Sequence, residues 1–242
     1  MLKFREKVAY GLGDTASNIV FQTVMLYLAF FYTDVFGISP VFVGTMFLAV
    51  RIIDAITDPL MGAIADRTQT KYGKFRPYLL WFALPFGLIS VLAFTTPDFT
   101  ETGKMWYAFL TYTALMMVYT AINIPYCALG GVLTADPKER VSVQSVRFVF
   151  AMLGGLMVTA LTGTLVDYFG QGDKAKGYQL AILAMSVLGV LMFLACFWGT
   201  KERISPPPSQ QSSFKDDFKA LWQNDQWRVL SIAAVFLLTG SV

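Results

Sequence analysis

The chain has no histidine, two cysteines, and a charged fraction of only 14% over 242 residues. The missing histidine removes the side chain that most readily changes charge near neutral pH, so any proton relay has to run through carboxylates. Without histidine, Cys127 and Cys196 alone cannot assemble a Cys/His set for a transition metal. Both cysteines sit inside apolar stretches, where free thiols are expected rather than a disulfide. Scarce charge is the strongest exclusion. Soluble domains carry about 25% charged residues, whereas this chain is 55% hydrophobic with a mean hydropathy of +0.54. That is the composition of an all-α membrane protein. A net charge of +3 is too small to suggest nucleic acid, so the informative quantity is where the charges fall.

Six apolar segments stand out, at about residues 8–34, 41–65, 78–96, 105–132, 142–167 and 178–199. Each is near the roughly 20 residues that a spanning helix requires. The joints, at 37–40, 66–77, 97–104, 136–140 and 170–177, hold breakers or charge. Lys3, Arg5 and Lys7 lead into an apolar stretch longer than a signal peptide's, with no clear cleavage site, so a retained first helix is expected. Lysine and arginine then set the orientation. The N-terminus, the second and fourth joints and the tail hold fourteen of them, against three in the first, third and fifth joints. Both N-terminus and tail are therefore predicted to be cytoplasmic. Residues 1–199 read as a six-helix bundle. Residues 200–227, with Pro206, Pro207 and Pro208, read as a cytoplasmic linker ending in an amphipathic piece near 214–222. Residues 228–242 read as the start of a seventh span too short to cross the bilayer, so the chain is expected to be about half of a longer protein.

A few ionisable groups remain inside the apolar segments. Arg51, Asp54 and Asp58 are spaced by three, four and seven residues, which places them on one helix face. Each charge costs roughly 2.5–3.5 kcal/mol at a helix centre on insertion scales, so such groups face a bundle interior or wet cavity and mark an ion or substrate path. Asp14 and Asn18 in the first segment, and Thr120 and Asn123 in the fourth, join the second-segment aspartates near mid-depth. At about 1.5 Å of rise per residue, most of these groups fall about 10–18 Å from the cytoplasmic face, with Arg147 of the fifth segment close by. Secondary transporters bind substrate and coupling ion at such a level. Asp14, Asp54 and Asp58 outnumber Arg51 and Arg147 by one charge. A bound Na⁺ or a proton would neutralise that surplus. Two carboxylates with a hydroxyl such as Thr57 or Thr120 suit a hard cation, and crowded like charges suit a proton; the residues leave both open.

Several blocks carry a family resemblance: Tyr10-Gly-Leu-Gly-Asp14, Tyr32-Thr-Asp34, Gly44-Thr-Met-Phe-Leu48, Arg51-Ile-Ile-Asp54-Ala-Ile-Thr-Asp58-Pro59, Asp66-Arg67 with Gly73-Lys-Phe-Arg-Pro77, and Tyr119-Thr-Ala-Ile-Asn-Ile-Pro125. In them the chain resembles the glycoside-pentoside-hexuronide:cation symporters, the melibiose permease group of the major facilitator superfamily. The resemblance runs from residue 1 to about 205. It implies twelve helices in two six-helix bundles, of which this would be the N-terminal one, truncated within helix 7. It also implies alternating access and sugar uptake driven by Na⁺, H⁺ or Li⁺ at a bacterial inner membrane, with no cofactor. It assigns Asp54, Asp58 and Thr120 to the cation site and Arg147 to the sugar site. Asn18 and Asn123 replace two sugar-site aspartates, Ser17 a lysine and Cys127 a tryptophan. Galactoside specificity is therefore not expected to carry over, and a pentoside, xyloside or glucuronide is. Asp14, Tyr119 and Tyr126 complete the candidate substrate set.

Each assignment has a structural alternative. Asp54 and Asp58 could form a network with Arg51, Arg147 could pair with Asp14, and Asn18 and Asn123 could join helices by hydrogen bonds. Tyr27, Phe30, Phe31 and Tyr32 read as packing or lipid-facing residues. The 66–76 loop, with Asp66, Arg67, Lys74 and Arg76, reads as a cytoplasmic gate or latch in which Asp66 meets a helix N-terminus. Among other functions, an intramembrane aspartyl protease would use Gly11-Leu-Gly-Asp14 but also needs a Tyr-Asp pair, which the sequence lacks, so no enzyme is expected. A lipid or lysolipid carrier of the same fold and a half-bundle that moves nothing alone are the remaining alternatives.

Overall fold

A computed structural model describes residues 2–204, 222–226, 228–230 and 233. The described residues divide into two units, the first ending at Ile204. In the second, Arg228 pairs with Asp225; most of the expected linker and seventh span lies outside the described residues.

In the first unit all six expected spans are helical. They are α1 (Phe4–Thr23, continuing through π-helical turns at Val24–Leu28 and Phe31–Val35), α2 (Pro40–Arg67), α3 (Arg76–Ala93), α4 (Glu101–Val132), α5 (Pro137–Gly170) and α6 (Lys174–Gly199). In hydrocarbon every backbone polar group has to be satisfied within the segment, so long apolar runs have little alternative. Five of the six, α2 to α6, are long and apolar enough to cross a membrane. Several begin earlier than their apolar windows because polar residues cap them. Thr100 accepts from the Gly103 N–H, Asp136 from Lys138, and Asp173 from Lys176, which satisfies N–H groups left open at a helix start. The chain is a multi-pass membrane protein.

The helix α1 packs against α5 and α6, α3 against α4 and α6, and α2 mainly against α4. Close approach of α1 to α4 and α6 depends on Gly13. A Cβ there would sit 2.5 Å from the Tyr126 ring and 3.0 Å from Cys196 Sγ. Phe31 and Tyr32 are fully buried, Phe31 lying 5.0 Å from Phe94 and 5.5 Å from Tyr178, as packing residues should. Both cysteines carry free thiols. The helix α2 separates its faces cleanly. Leu48, Ile52, Ile56, Leu60 and Ile64 are exposed along a four-residue repeat, with Val41 exposed seven residues before it, while Val43, Met46, Val50 and Asp54 are buried. The exposed stripe has the chemistry of a lipid contact, and Asp54 belongs to the inward stripe.

One end of the bundle collects every joint expected to be cytoplasmic. The Leu2 N–H and the Thr134 hydroxyl both donate to Glu139, at 2.8 and 2.9 Å. Glu6 takes a two-point ion pair from Arg203 at 2.5 and 2.8 Å, which holds the Arg203 guanidinium above its ordinary pKa. The N–H groups of Arg203 and Ile204 donate to the Val132 carbonyl. At the opposite end Lys104 reaches the Phe36 carbonyl and Gln179 reaches Thr95. The even and odd joints are thus segregated, as the basic residues require.

Candidate functional site

The α2 aspartates face α4. Thr120 donates its hydroxyl to Asp58 Oδ1 at 2.7 Å, from a position that is itself buried. Asp54, one turn back, is 8% exposed. Among the described residues its Oδ1 is buried without a hydrogen-bond partner, and its Oδ2 makes a long contact, 3.8 Å, to Arg51. Arg51 is half exposed, so the three charges do not close into a sealed network. Pro59 follows Asp58 inside the helix and has no N–H to give the Ala55 carbonyl four residues back. Thr57 turns its hydroxyl to the Asp54 carbonyl, 3.4 Å away. Of the two hydroxyls considered for a cation, Thr120 is therefore the one on a carboxylate. A buried carboxylate oxygen without a donor is unfavourable until a cation or a proton supplies the missing partner.

A second cluster joins α1, α4 and α5. Arg147 Nε lies 3.2 Å from Asp14 Oδ2, and its Nη2 donates to Asp14 Oδ1 at 3.4 Å and to Cys127 Sγ at 3.4 Å. The guanidinium sits 5.3 Å from the Tyr126 ring centroid, a cation–π distance. Cys127 Sγ is 4.0 Å from Asn123 Oδ1. Asn18 donates to the carbonyl of Asp14, within its own helix, at 3.0 Å. Tyr119 is partly buried and stacks on Phe21 at 5.7 Å. Arg147 thus shows the Asp14 pairing that was one of its two readings, and Arg147, Asp14, Cys127 and Asn123 form one connected group.

Two expectations are corrected. Tyr126 is no open platform for a sugar: its ring is fully buried, stacked on Tyr10 at 4.8 Å, and its hydroxyl donates to the Tyr10 carbonyl at 2.8 Å. Nor is Asp66 the acid at a helix N-terminus. It pairs with Lys74 at 3.1 Å. The N-terminus of α3 is held by Glu202, which accepts from the N–H groups of Lys74, Phe75 and Arg76 at 2.8, 2.8 and 2.9 Å. Gly73 makes this possible, with φ +113° and a Cβ position only 2.5 Å from the Glu202 carboxyl. Arg76 folds over the Phe197 ring and donates to the Phe197 carbonyl at 2.6 Å, while Arg67 is exposed. Tyr10, Glu6 and Glu202 were not singled out from the sequence. For Glu202 the available signal was a charged triplet, Lys201-Glu-Arg203, immediately after an apolar span.

One helix, α4, carries contacts to both clusters. Thr120 touches α2, and Asn123 and Cys127 sit on the Arg147 side. Three residues separate Thr120 from Asn123, a rise of about 4.5 Å. Ionisable groups gathered on the inward faces of several spans are the arrangement of a secondary transporter. The chain belongs to the family described as MFS/sugar transport protein, whose model matches residues 9–242. It is 52% identical over 236 residues to the inner membrane symporter YicJ of Escherichia coli (strain K12), covering 98% of this chain and 51% of that protein. It is 41% identical to the isoprimeverose transporter of Lactiplantibacillus pentosus (95% and 49%) and 32% identical to the glucuronide carrier protein homolog of Escherichia coli (strain K12) (99% and 52%). The chain spans about half the length of the curated relatives it matches.

Proposed function

We propose that the protein is a secondary active transporter that couples Na⁺ or H⁺ entry to uptake of a sugar or glycoside of the pentoside, xyloside or glucuronide type. The observation that carries this reading is the Asp58–Thr120 hydrogen bond beside a buried Asp54 oxygen that has no partner among the described residues. Two carboxylates and a hydroxyl offer hard oxygen ligands. Asp14, Asn18, Asn123 and Arg147, with Tyr119 alongside, supply hydroxyl-binding groups. Family membership and relatives named as symporters and as an isoprimeverose transporter support the same reading. A second six-helix bundle would supply the opposite wall of the cavity, and the name of YicJ supports a bacterial inner membrane. The protein then acts as a carrier with no covalent step and no cofactor, its coupling ion being cargo.

The test is uptake by the full-length protein in vesicles, screened across glycosides under Na⁺, Li⁺ and pH gradients. Asp58→Cys is expected to insert normally and to lose cation-stimulated uptake. Undiminished cation dependence in that variant would remove the cation-site assignment.

A further inference from the structure

We infer that Asp14 is the resident counter-ion of Arg147, and that the site therefore selects uncharged glycosides over uronates and other anionic sugars. This rests on the reading of the Arg147 cluster as the substrate site. An arginine kept for an anionic substrate presents its planar fork to the incoming carboxylate. Here Nη2 donates to one Asp14 oxygen at 3.4 Å and also meets Cys127, while Nε lies 3.2 Å from the other Asp14 oxygen as an ion-pair contact without hydrogen-bond geometry.

The carboxylate has little freedom to withdraw. Asp14 is 5% exposed. The next residue, Thr15, pins α1 to α5 by donating to the Phe150 carbonyl at 2.8 Å. The ring of Tyr126, 5.3 Å away, fixes the guanidinium from another side. Breaking this pair by drawing Arg147 to a second anion would leave a buried carboxylate uncompensated, which is strongly unfavourable.

The remaining groups assigned to the site, Asn18, Asn123, Cys127 and Tyr119, are neutral, so Asp14 and Arg147 sum to zero. The other charges facing this side of the bundle, Asp54 and Asp58 with Arg51 on α2, add a net negative. An anionic sugar would enter a field with no surplus positive charge, whereas glycoside hydroxyls can use the amides and the guanidinium as hydrogen-bond partners.

The experiment uses three probes that share one aglycone: p-nitrophenyl β-xyloside, β-glucoside and β-glucuronide. The last two differ at C5 by CH₂OH against carboxylate. Competition against a transported glycoside, or direct binding to the purified full-length protein, gives the glucoside-to-glucuronide affinity ratio. We expect at least a tenfold preference for the neutral probes in the unmodified protein. Asp14→Asn should shift the ratio at least tenfold toward the glucuronide, and Asp14→Asn combined with Arg147→Gln should shift it back. Glucuronide binding as tight as glucoside in the unmodified protein overturns the charge assignment alone, whether or not the variants fold. An Asp14→Asn ratio unchanged from the unmodified protein overturns it as well. Binding of none of the probes, with any cation, overturns the glycoside reading beneath it.

Discussion

Thr120→Val is the sharpest probe of the proposed cation site. Valine keeps the branched shape of the side chain and removes the hydroxyl that Asp58 accepts at 2.7 Å. Hydrogen bonds to charged groups contribute about 1.5–3 kcal/mol. At about 1.4 kcal/mol per decade, their loss corresponds to roughly 10–100-fold in an equilibrium constant. Asp58 is only half-buried, so water replaces part of the interaction and the lower end of that range is expected. Which titration changes separates the two ions. For Na⁺ a ligand is lost, so the concentration for half-maximal stimulation of glycoside binding rises about tenfold. For H⁺ no metal ligand is involved, so any change falls on the pH titration and the Na⁺ titration stays flat. The assay is cation-stimulated glycoside binding to purified full-length protein in nanodiscs, titrated with Na⁺ at fixed pH and with pH in the absence of Na⁺. Thr120→Ser should restore the unmodified response. Because the effect passes through Asp58, Thr120→Val should change nothing further in an Asp58→Asn background. A response within twofold of the unmodified protein in both titrations, or an equal shift without Asp58, would refute the reasoning.

Two further variants test the scaffold. Glu202→Gln leaves one acceptor oxygen for three backbone N–H donors and removes the charge at the α3 N-terminus, so a loss of about 1–3 kcal/mol is expected. It should appear as earlier thermal unfolding in detergent and faster hydrogen exchange at amides 74–76; unchanged exchange there would remove the capping assignment. Gly13→Ala places a methyl 2.5 Å from the Tyr126 ring, and overpacking of this kind costs about 1–3 kcal/mol. A thermal unfolding temperature equal to that of the unmodified protein would show that α1 and α4 are not held at this distance.

The spans were legible because a bilayer leaves an apolar run of sufficient length almost no option but a helix. The α2 pair was legible for a similar reason. Charges at a three- and four-residue spacing inside such a run share a face, and burial cost keeps that face inward. Arg147 was only half legible, since its partner depends on how α1 and α5 register against each other. Tyr126 was misplaced by that same register. It lies one turn from Asn123, but the slot at Gly13 of α1 takes its ring against Tyr10. Glu202 was the least legible. Its three hydrogen bonds join residues 126 to 128 positions apart. No local periodicity encodes such a contact; only the packing of α3 on α6 brings its ends together.

The two clusters differ in how firmly their helices are held, and the difference bears on coupling. Arg147 and Asp14 sit where α1 packs against α5, with Tyr126 of α4 clasped to Tyr10 from both sides by hydrogen bonds at 2.8 and 3.4 Å. Asp54 and Asp58 ride on α2, whose main partner is α4 and whose other face is apolar and exposed. Neutralising the aspartates would relieve repulsion on that less supported helix and complete its polar contact with α4. Glycoside bound among Asn18, Asn123 and Arg147 would draw on the same stretch of α4, one turn further along. If both ligands favour one placement of α4, each raises the affinity for the other by the same factor, because linkage between binding sites is reciprocal. A single stretch of helix that carries Thr120 and, one turn on, Asn123 is the smallest device through which such linkage can run.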